Sequence, residues 1–145
     1  MIIREATPLD VENFKIRPQD DAEFWALCRK TGKDVLRFSF DNSKECFAVE
    51  INGEVVCIFG CVPEDEGACI WILFTEITEL PLSFFKVSKQ YIKSLLDKYA
   101  YLYNYGSADN VFILKWAELL KFTIDEPEPY GIDGLLFRLF YIGRC

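Results

Sequence analysis

The sequence predicts an α+β fold, in which one mixed, mostly antiparallel sheet has helices on both of its faces. A hairpin pattern over residues 44–61 is followed by a continuous apolar run, Ala68–Phe74, which is typical of a central strand covered on both sides. Residues 83–99 carry apolar side chains at helical spacing. Strand and helix patterns then alternate to the end of the chain, and this mixed order favours helices packed on a sheet.

The segment before the hairpin is predicted to form a short strand and two or three helices. Ile2–Ala6 is the first strand, and Thr7 can cap the helix that follows it. A second helix is expected to begin at residues 20–21 and to end at Gly32, since glycine commonly follows the last helical turn. A third, short helical segment is expected near residues 34–40.

Turn residues and one cap divide the middle of the chain. The Asn52-Gly53 pair supplies the positive φ angles of a tight turn between two strands. An acidic turn at residues 63–67 leads into the central strand. Ser83 can cap the long helix, whose lysines lie largely outside its apolar stripe. The middle of the chain is therefore predicted to be a three-stranded antiparallel unit followed by a helix.

The last third of the chain has the most distinctive order of elements. A short strand at residues 101–105 precedes a helix that Asn110, or the aspartate before it, can cap. A strand is then expected to begin at the aromatic residue Phe122. An acidic, proline-bounded turn at residues 126–131 separates that strand from a final apolar strand at residues 135–141.

Length and patterning predict one domain over residues 1–145. The chain has 145 residues, of which 51% are hydrophobic, and this size suits one core and is too small for two ordinary domains. No apolar run reaches the length of a membrane span, and the N-terminus lacks the layout of a signal peptide. A cytoplasmic protein without membrane contact is therefore expected.

Charge and residue usage exclude several classes of function. A net charge of −7 argues against a broad nucleic-acid surface and favours a basic protein partner or an amine. The sequence has no histidine, which removes Ser-His and Cys-His catalysis and histidine metal sites. The six cysteines match no standard metal spacing, so no metal is predicted and the thiols are interpreted as small buried side chains.

The order of elements, together with the opening Ile3–Asp10 and the C-terminal Asn110–Tyr141 segment, resembles the GNAT acyltransferases over nearly the whole chain. The C-terminal segment is most similar to phage and prophage GNAT-like proteins, including the internal virion protein family of short-tailed phages. The resemblance implies the GNAT fold and acetyl-CoA as the cofactor of an active member. For a phage protein it implies a location in the host cytoplasm or in the virion.

The resemblance also implies where the cofactor phosphates would bind, and the chain departs from the family pattern there. Active GNAT enzymes have a glycine-rich loop between the fourth strand and the long helix, whose amides hold the CoA pyrophosphate. This chain has no glycine over residues 75–85. Glu76 and Glu79 would repel a phosphate, and Pro81 removes one amide donor. Weak phosphate binding is the expected consequence.

The remaining site residues also follow from the resemblance. Glu76 is the candidate general base, because GNAT enzymes often use a glutamate near the end of the fourth strand. The backbone of the three-residue segment Leu73, Phe74 and Thr75 would line the acetyl group, and Asn110 would lie near the CoA arm, although an N-cap alone also explains it.

Two family positions on the penultimate helix are replaced. Aligning Leu120-Lys121-Phe122 with the family's LGF motif places Ala117 where many GNAT enzymes have a tyrosine that protonates the departing thiolate. Lys121 occupies the place of the family glycine, and neighbouring Trp116 cannot serve as an acid at neutral pH.

Two functions therefore remain open from the sequence. The first is a phage-type GNAT-fold protein with a degenerate acetyl-CoA site, which serves as a virion or assembly component through contacts with other proteins. The second is an active N-acetyltransferase that transfers acetyl directly from acetyl-CoA to a primary amine or lysine. The surplus of tyrosine and phenylalanine favours the first, and whether the chain forms a homo-oligomer stays open.

Overall fold

One continuous sheet organises the fold. A computed structural model describes residues 1–76 and 80–143. Its elements in chain order are β1 (Ile2–Glu5), α1 (Pro8–Asn13), α2 (Pro18–Cys28), α3 (Gly32–Asn42), β2 (Glu45–Ile51), β3 (Glu54–Pro63), β4 (Ala68–Phe74), α4 (Leu82–Leu96), β5 (Tyr101–Ser107), α5 (Val111–Leu119), β6 (Thr123–Ile124), β7 (Glu128–Tyr130) and β8 (Leu135–Gly143). The strands lie in the order β1-β2-β3-β4-β5-β8-β6, with β7 also paired to β8. All described pairs are antiparallel except β4 with β5.

Helices cover both faces of this sheet, which confirms the predicted fold class. Strand side chains point alternately to the two faces, so neighbouring residues belong to different layers. On one face Ala48 and Ile58 pack against Leu36 of α3 and against α1. On the other face Val49 and the residues in register with it pack against α4 and α5, through side chains that include Phe84. The prediction of a central β4 is also confirmed, since β4 is the fourth strand along the sheet.

The predicted start of α1 and the predicted hairpin turn are both confirmed. Thr7 Oγ1 accepts a hydrogen bond from Asp10 N–H at 3.2 Å, and Asp10 Oδ2 accepts one from Thr7 N–H at 2.8 Å, which forms a capping box. Arg4 adds two hydrogen bonds to Asp10, at 2.7 and 2.9 Å. Asn52 and Gly53 have φ values of 53° and 80°, as a tight hairpin turn requires.

The predicted boundaries of α2 were wrong, whereas the third helix expected near residues 34–40 is confirmed as α3. Helix α2 begins at Pro18, a residue suited to the first helical position, and it ends at Cys28 instead of at Gly32. Gly32 is the first residue of α3, where the Thr31 side chain caps the helix. A Cβ atom at Gly32 would lie 2.5 Å from the Ile16 side chain, so glycine allows close packing here instead of ending a helix.

Three later boundaries also differ from the predictions. Pro81, not Ser83, is the N-cap of α4. In the described part of the chain, no helix is long and apolar enough to span a membrane. The strand expected to begin at Phe122 is the two-residue β6, which begins one residue later, and Phe122 itself is buried against Trp116. The acidic turn contains the short strand β7, which tolerates its proline because it lies at the edge of the sheet.

Two of the five described cysteines are buried, in agreement with the interpretation from sequence, and the other three are partly exposed. Cys57 and Cys61 are buried and belong to the core between the sheet, α4 and α5. Burial raises the pKa of Cys46 to about 12, that of Cys61 to about 11 and that of Cys69 to about 12. These thiols are therefore protonated at neutral pH and are poor nucleophiles.

Candidate functional site

A cleft opens where the two central strands, β4 and β5, separate. Along their described lengths they pair at only two positions, Ala68–Cys69 with Leu102–Tyr103. Just beyond, the side-chain amide of Asn104 donates a hydrogen bond to the Ile70 carbonyl at 2.5 Å. The cleft has a volume of about 510 Å³, and side chains from both layers of the protein line it. It is the natural place for a ligand, because backbone groups of two strands are left without strand partners.

The free edge of β4 faces this cleft. Hydrogen bonds in an antiparallel pair alternate along a strand, so every second residue points its backbone groups to the same neighbour. Thr75 N–H donates to the Val56 carbonyl at 3.0 Å, which directs the backbone groups of Thr75 and Leu73 towards β3. The groups of Ile72 and Phe74 consequently point towards the cleft. Of the three residues predicted to line an acetyl group, Phe74 has its backbone N–H on the cleft side.

Two phenylalanine rings meet between the end of β4 and the start of α5. The buried Phe74 ring packs edge-to-face against Phe112, in the first turn of α5, with ring centroids 4.7 Å apart. Phe74 also contacts Phe84 of α4, at 5.9 Å. Such close edge-to-face packing leaves no gap between the Phe74 and Phe112 rings. Both rings line the cleft close to Asn110, near which the sequence resemblance places the arm of CoA.

Asn110 caps α5, as predicted, and also lines the cleft. Its side-chain oxygen accepts a hydrogen bond from Ile113 N–H at 3.3 Å. Its side-chain amide also lies against the carboxyl group of Glu23 on α2 and favours the charged form of that group. Asn110 thus links α5 to α2 across the cleft, and the contact with CoA that the resemblance implies stays a prediction.

Glu23 is a half-buried acid that lines the cleft and that the sequence did not single out. Its Oε1 accepts a hydrogen bond from Ser107 N–H, at 3.1 Å. The pKa of Glu23 is raised to about 7, chiefly by burial and also by the charge of Asp20, against the opposing effects of Ser107 N–H, Arg17 and Asn110. Glu23 can therefore gain or lose a proton near neutral pH, as a general base must.

A buried ion pair lies beside Glu23. Arg17 donates two hydrogen bonds to Asp20, from Nε at 2.8 Å and from Nη2 at 2.9 Å, and Asp20 is only 4% exposed. These bonds raise the pKa of Arg17, and the charges of Glu76 and Glu23 raise it further. Glu76 therefore lies near Arg17, on an exposed bend after β4, and it is not among the described residues that line the cleft. Its role as a general base stays a prediction.

The titration of Glu23 predicts a specific pH dependence of stability. An acid with a raised pKa binds more protons in the folded state than in the unfolded state. The folded state therefore loses stability as the pH rises from 4.5, the ordinary pKa of a glutamate, to about 7, the raised pKa of Glu23. Glu23→Gln removes this loss. Between pH 5 and pH 8, we expect the variant to lose about 1–2 kcal/mol less unfolding free energy than the parent, after allowance for partial exposure, as measured by urea denaturation.

The matched control for this experiment is Glu118→Gln, which changes an exposed acid on α5. This control should retain the pH dependence of the parent. Equal losses of stability in the parent and in Glu23→Gln would contradict a raised pKa at Glu23.

On α5, neither Ala117, which the resemblance aligns with a proton-donating tyrosine, nor its neighbour Trp116 has an acidic side chain. Ala117 is fully buried in the core, and Trp116 Nε1 donates a hydrogen bond to Ser88 Oγ at 3.4 Å. Lys121 has a φ of 69°, in the left-handed region that favours glycine. The backbone at Lys121 therefore has a conformation suited to the glycine that the resemblance aligns with this position.

The N-terminus of α4 is where the resemblance places the phosphates of the cofactor. The N-cap of α4 is Pro81, and no side chain caps this helix. Lys86 and Lys89 are exposed on the helix surface. The predicted repulsion by Glu79 concerns residues 77–79, which lie outside the described part of the chain.

The β7–β8 turn closes one side of the cleft by binding to the C-terminus of α2. Ile132 N–H and Asp133 N–H donate to the carbonyls of Leu27 and Ala26 at 3.1 and 3.0 Å, and Asp133 forms an ion pair with Arg29. Gly131, with a φ of 80°, lies so close to α2 that a Cβ atom there would be 2.8 Å from the Leu27 backbone. This contact, which we call the α2 clasp (residues 26–29 with 131–133), fixes α2 and hence Glu23 over the cleft.

Solved acetyltransferase structures have the same fold. An N-acetyltransferase from Staphylococcus aureus Mu50 aligns with a TM-score of 0.72 at 17% identity, over 98% of this chain and 97% of that one. A GNAT family acetyltransferase from Elizabethkingia anophelis with acetyl-CoA bound aligns with a TM-score of 0.63 at 17% identity, over 99% and 97% of the two chains.

A third similar structure contains an amine as well as a cofactor. It is a spermidine N-acetyltransferase from Vibrio cholerae in complex with CoA and spermine, with a TM-score of 0.66 and 13% identity over 98% of this chain and 94% of that one. No protein-family model and no curated protein matches the sequence. At these identities the likeness establishes the fold, so the expected GNAT fold is confirmed.

Proposed function

For a chain with the fold of the GNAT acetyltransferases, we propose that the acetyl-CoA site is degenerate and that the protein acts through contacts with other proteins. The observation that carries this proposal is the packing of Phe74 against Phe112 at 4.7 Å. A CoA arm between β4 and α5 would have to separate these two rings. Because Phe74 also packs against Phe84 on its other side, moving the Phe74 ring would disturb the core.

Two further features support a degenerate site. The segment between β4 and α4 has no glycine, and Glu76 and Pro81 replace the amide-rich, positively polarised cradle that a pyrophosphate requires. On α5 the buried Ala117 stands where a proton donor would be needed for the departing thiolate. Together these features leave neither a glycine-rich phosphate loop before α4 nor an acid at position 117.

The nature of the protein contacts rests on the sequence. The resemblance to phage GNAT-like proteins favours a virion or assembly component, and the net charge of −7 favours a basic protein partner over nucleic acid. Detection of the chain in purified particles or assembly intermediates would support the virion role, and its absence from both would contradict it.

A turnover assay tests the loss of catalysis. The purified protein is incubated with acetyl-CoA and, in turn, with spermidine, a lysine peptide and a protein N-terminal peptide, and the release of free CoA thiol is followed at pH 8. We expect no release above the rate without protein. Release that depends on one of the amines would contradict the proposal.

Active N-acetyltransfer is the second candidate, because Glu23 favours it. Glu23 lines the cleft with a pKa of about 7, and Phe74 N–H points into the same space. In such an enzyme Glu23 would accept the proton of the attacking amine. If turnover is found, Glu23→Gln should then lower kcat at least 100-fold, whereas Glu76→Gln should leave kcat within about twofold. The reverse result would assign the base to Glu76.

A further inference from the structure

We propose that an exposed tyrosine-rich face of the C-terminal strands, bordered by acidic segments, binds a basic, extended segment of a partner protein. We call it the tyrosine face and define it as Tyr101, Tyr103, Tyr105, Tyr130 and Tyr141. The proposal deepens the protein-contact function and rests on it, because it assigns a place and a chemistry to that contact.

Strand geometry brings these five residues to one side of the sheet. Tyr101, Tyr103 and Tyr105 alternate along β5, so their side chains point the same way. Tyr141 of β8 lies directly opposite Tyr103 and shares its face. The Tyr130 ring stacks on the Tyr105 ring with centroids 4.2 Å apart and an angle of 11° between the planes.

Much of the tyrosine face is left uncovered by the helices. Helices α1 and α3 pack on the same side of the sheet over β2 to β4, and α2 lies over the cleft, which Tyr103, Tyr105 and Tyr130 help to line. Helices α4 and α5 pack on the opposite side, against residues such as Leu102 and Phe140. The exposed fractions of Tyr101, Tyr130 and Tyr141 are 40, 42 and 39%. Large aromatic side chains with polar tips are typical of the centres of protein interfaces.

An acidic turn is attached to one border of the tyrosine face. Tyr103 OH donates a hydrogen bond to Glu64 Oε2 at 2.5 Å, and Ala100 N–H donates to the Glu66 carbonyl at 2.8 Å. The Tyr101 ring packs directly over Gly67, where a Cβ atom would lie 2.4 Å from the ring. Residues 64–66 are all exposed, so the turn is held against the tyrosines and presents its carboxylates to solvent.

Acidic residues also follow the opposite border, beyond β8. Asp125 and Glu126 are exposed between β6 and β7, and Glu128, the exposed first residue of β7, is in register with Phe137 of β8. Strands β5 to β8 contain a single basic residue, Arg138, which alternation places on the other side of the sheet. The rings and the carboxylates are thus not matched by cations on these strands.

This arrangement selects a basic occupant. The faces of tyrosine rings attract guanidinium and ammonium groups, and the two acidic borders add a negative field on either side. A nucleic acid would be repelled by the same carboxylates. A second copy of this chain would bring an equal excess of negative charge, −7, to the contact. A lysine- or arginine-rich segment can place its cations over the tyrosine rings and pair them with the carboxylates of the borders.

A synthetic peptide can test the proposal. The probe is a fluorescein-labelled dodecapeptide made of four Arg-Gly-Ser repeats, and its control replaces every arginine with glutamate. Binding to the full chain is followed by fluorescence anisotropy at 50 and 300 mM NaCl. We expect saturable binding of the arginine peptide that weakens at the higher salt, and no binding of the glutamate peptide.

Paired variants separate the tyrosine face from general attraction to an acidic protein. We expect the double variant Tyr101→Ala, Tyr141→Ala to weaken binding at least 10-fold, and Glu64→Gln, Glu66→Gln to weaken it about 5-fold and to reduce its salt dependence.

The apolar control is Val111→Ala, Leu119→Ala, and the charge control is Asp97→Asn, Glu118→Gln. These controls change exposed residues of α4 and α5 and their C-terminal ends, on the other side of the sheet, and should alter binding less than twofold.

The proposal is overturned if the tyrosine variant binds like the parent, or if the two controls weaken binding as much as the face variants do. It is also overturned if sedimentation shows a dimer that the tyrosine variant dissolves, since a second copy would then occupy the face. Melting curves of each variant verify that it is folded. Acetyl-CoA binding is measured separately, so failure of the degenerate-site proposal would be distinguishable from failure of this one.

Discussion

Replacing Gly131 with alanine is expected to lower the free energy of unfolding by about 2–4 kcal/mol. Two effects combine at this position. The φ of 80° is strained for any residue with a side chain, and the new Cβ would lie 2.8 Å from both the Cα atom and the carbonyl oxygen of Leu27. The β7–β8 turn would have to move away from α2. The α2 clasp would then open and its two backbone hydrogen bonds would be lost.

Gly134→Ala is the matched control, in the same turn. Gly134 also has a positive φ, of 65°, but no atom lies within 4 Å of the position of its Cβ. We expect this variant to lose only about 1 kcal/mol, from backbone strain alone. Urea denaturation of both variants gives the comparison. Equal losses would mean that the contact with Leu27 does not hold the clasp.

Phe84→Ala is expected to have the other large effect, a loss of about 3–5 kcal/mol of unfolding free energy. Phe84 is 2% exposed, and its ring lies between Phe74 and Phe85 with centroids 5.9 and 5.6 Å away. Removing the ring leaves a cavity under the end of β4. The wall of the cleft formed by Phe74 and Phe112 then loses its support.

The matched control for Phe84 is Leu82→Ala, two positions earlier on the same helix. Leu82 is 86% exposed, so its truncation should change stability by less than about 0.5 kcal/mol. Urea denaturation at one pH serves for both variants. A loss below about 1 kcal/mol for Phe84→Ala would contradict the assignment of Phe84 to the core.

Local signals explain why much of the fold is predictable from the sequence. The Thr7 capping box, the Asn52-Gly53 turn and the Asn110 cap each depend on residues within a few positions of one another. The apolar run of β4 identifies a strand that lies in the middle of the sheet. Such features can be predicted from a short stretch of sequence, because short-range sterics and hydrogen bonds determine them.

The site was harder to predict because it depends on contacts between distant segments. Glu23 acquires its raised pKa from burial and from Asp20, and it is held by Ser107, which is 84 residues away. The only signal in the sequence is the spacing of Asp20 and Glu23, three positions apart on one helix. The α2 clasp joins positions about 100 residues apart in the same way, as its Arg29 to Asp133 pair shows.

Isothermal titration calorimetry of the purified protein with acetyl-CoA tests most directly whether this fold has lost its acetyl-CoA site. The rings of Phe74 and Phe112 and the glycine-free segment before α4 predict that no binding with a Kd below about 1 mM is measured. A saturable isotherm with one site per chain and a micromolar Kd would contradict this loss.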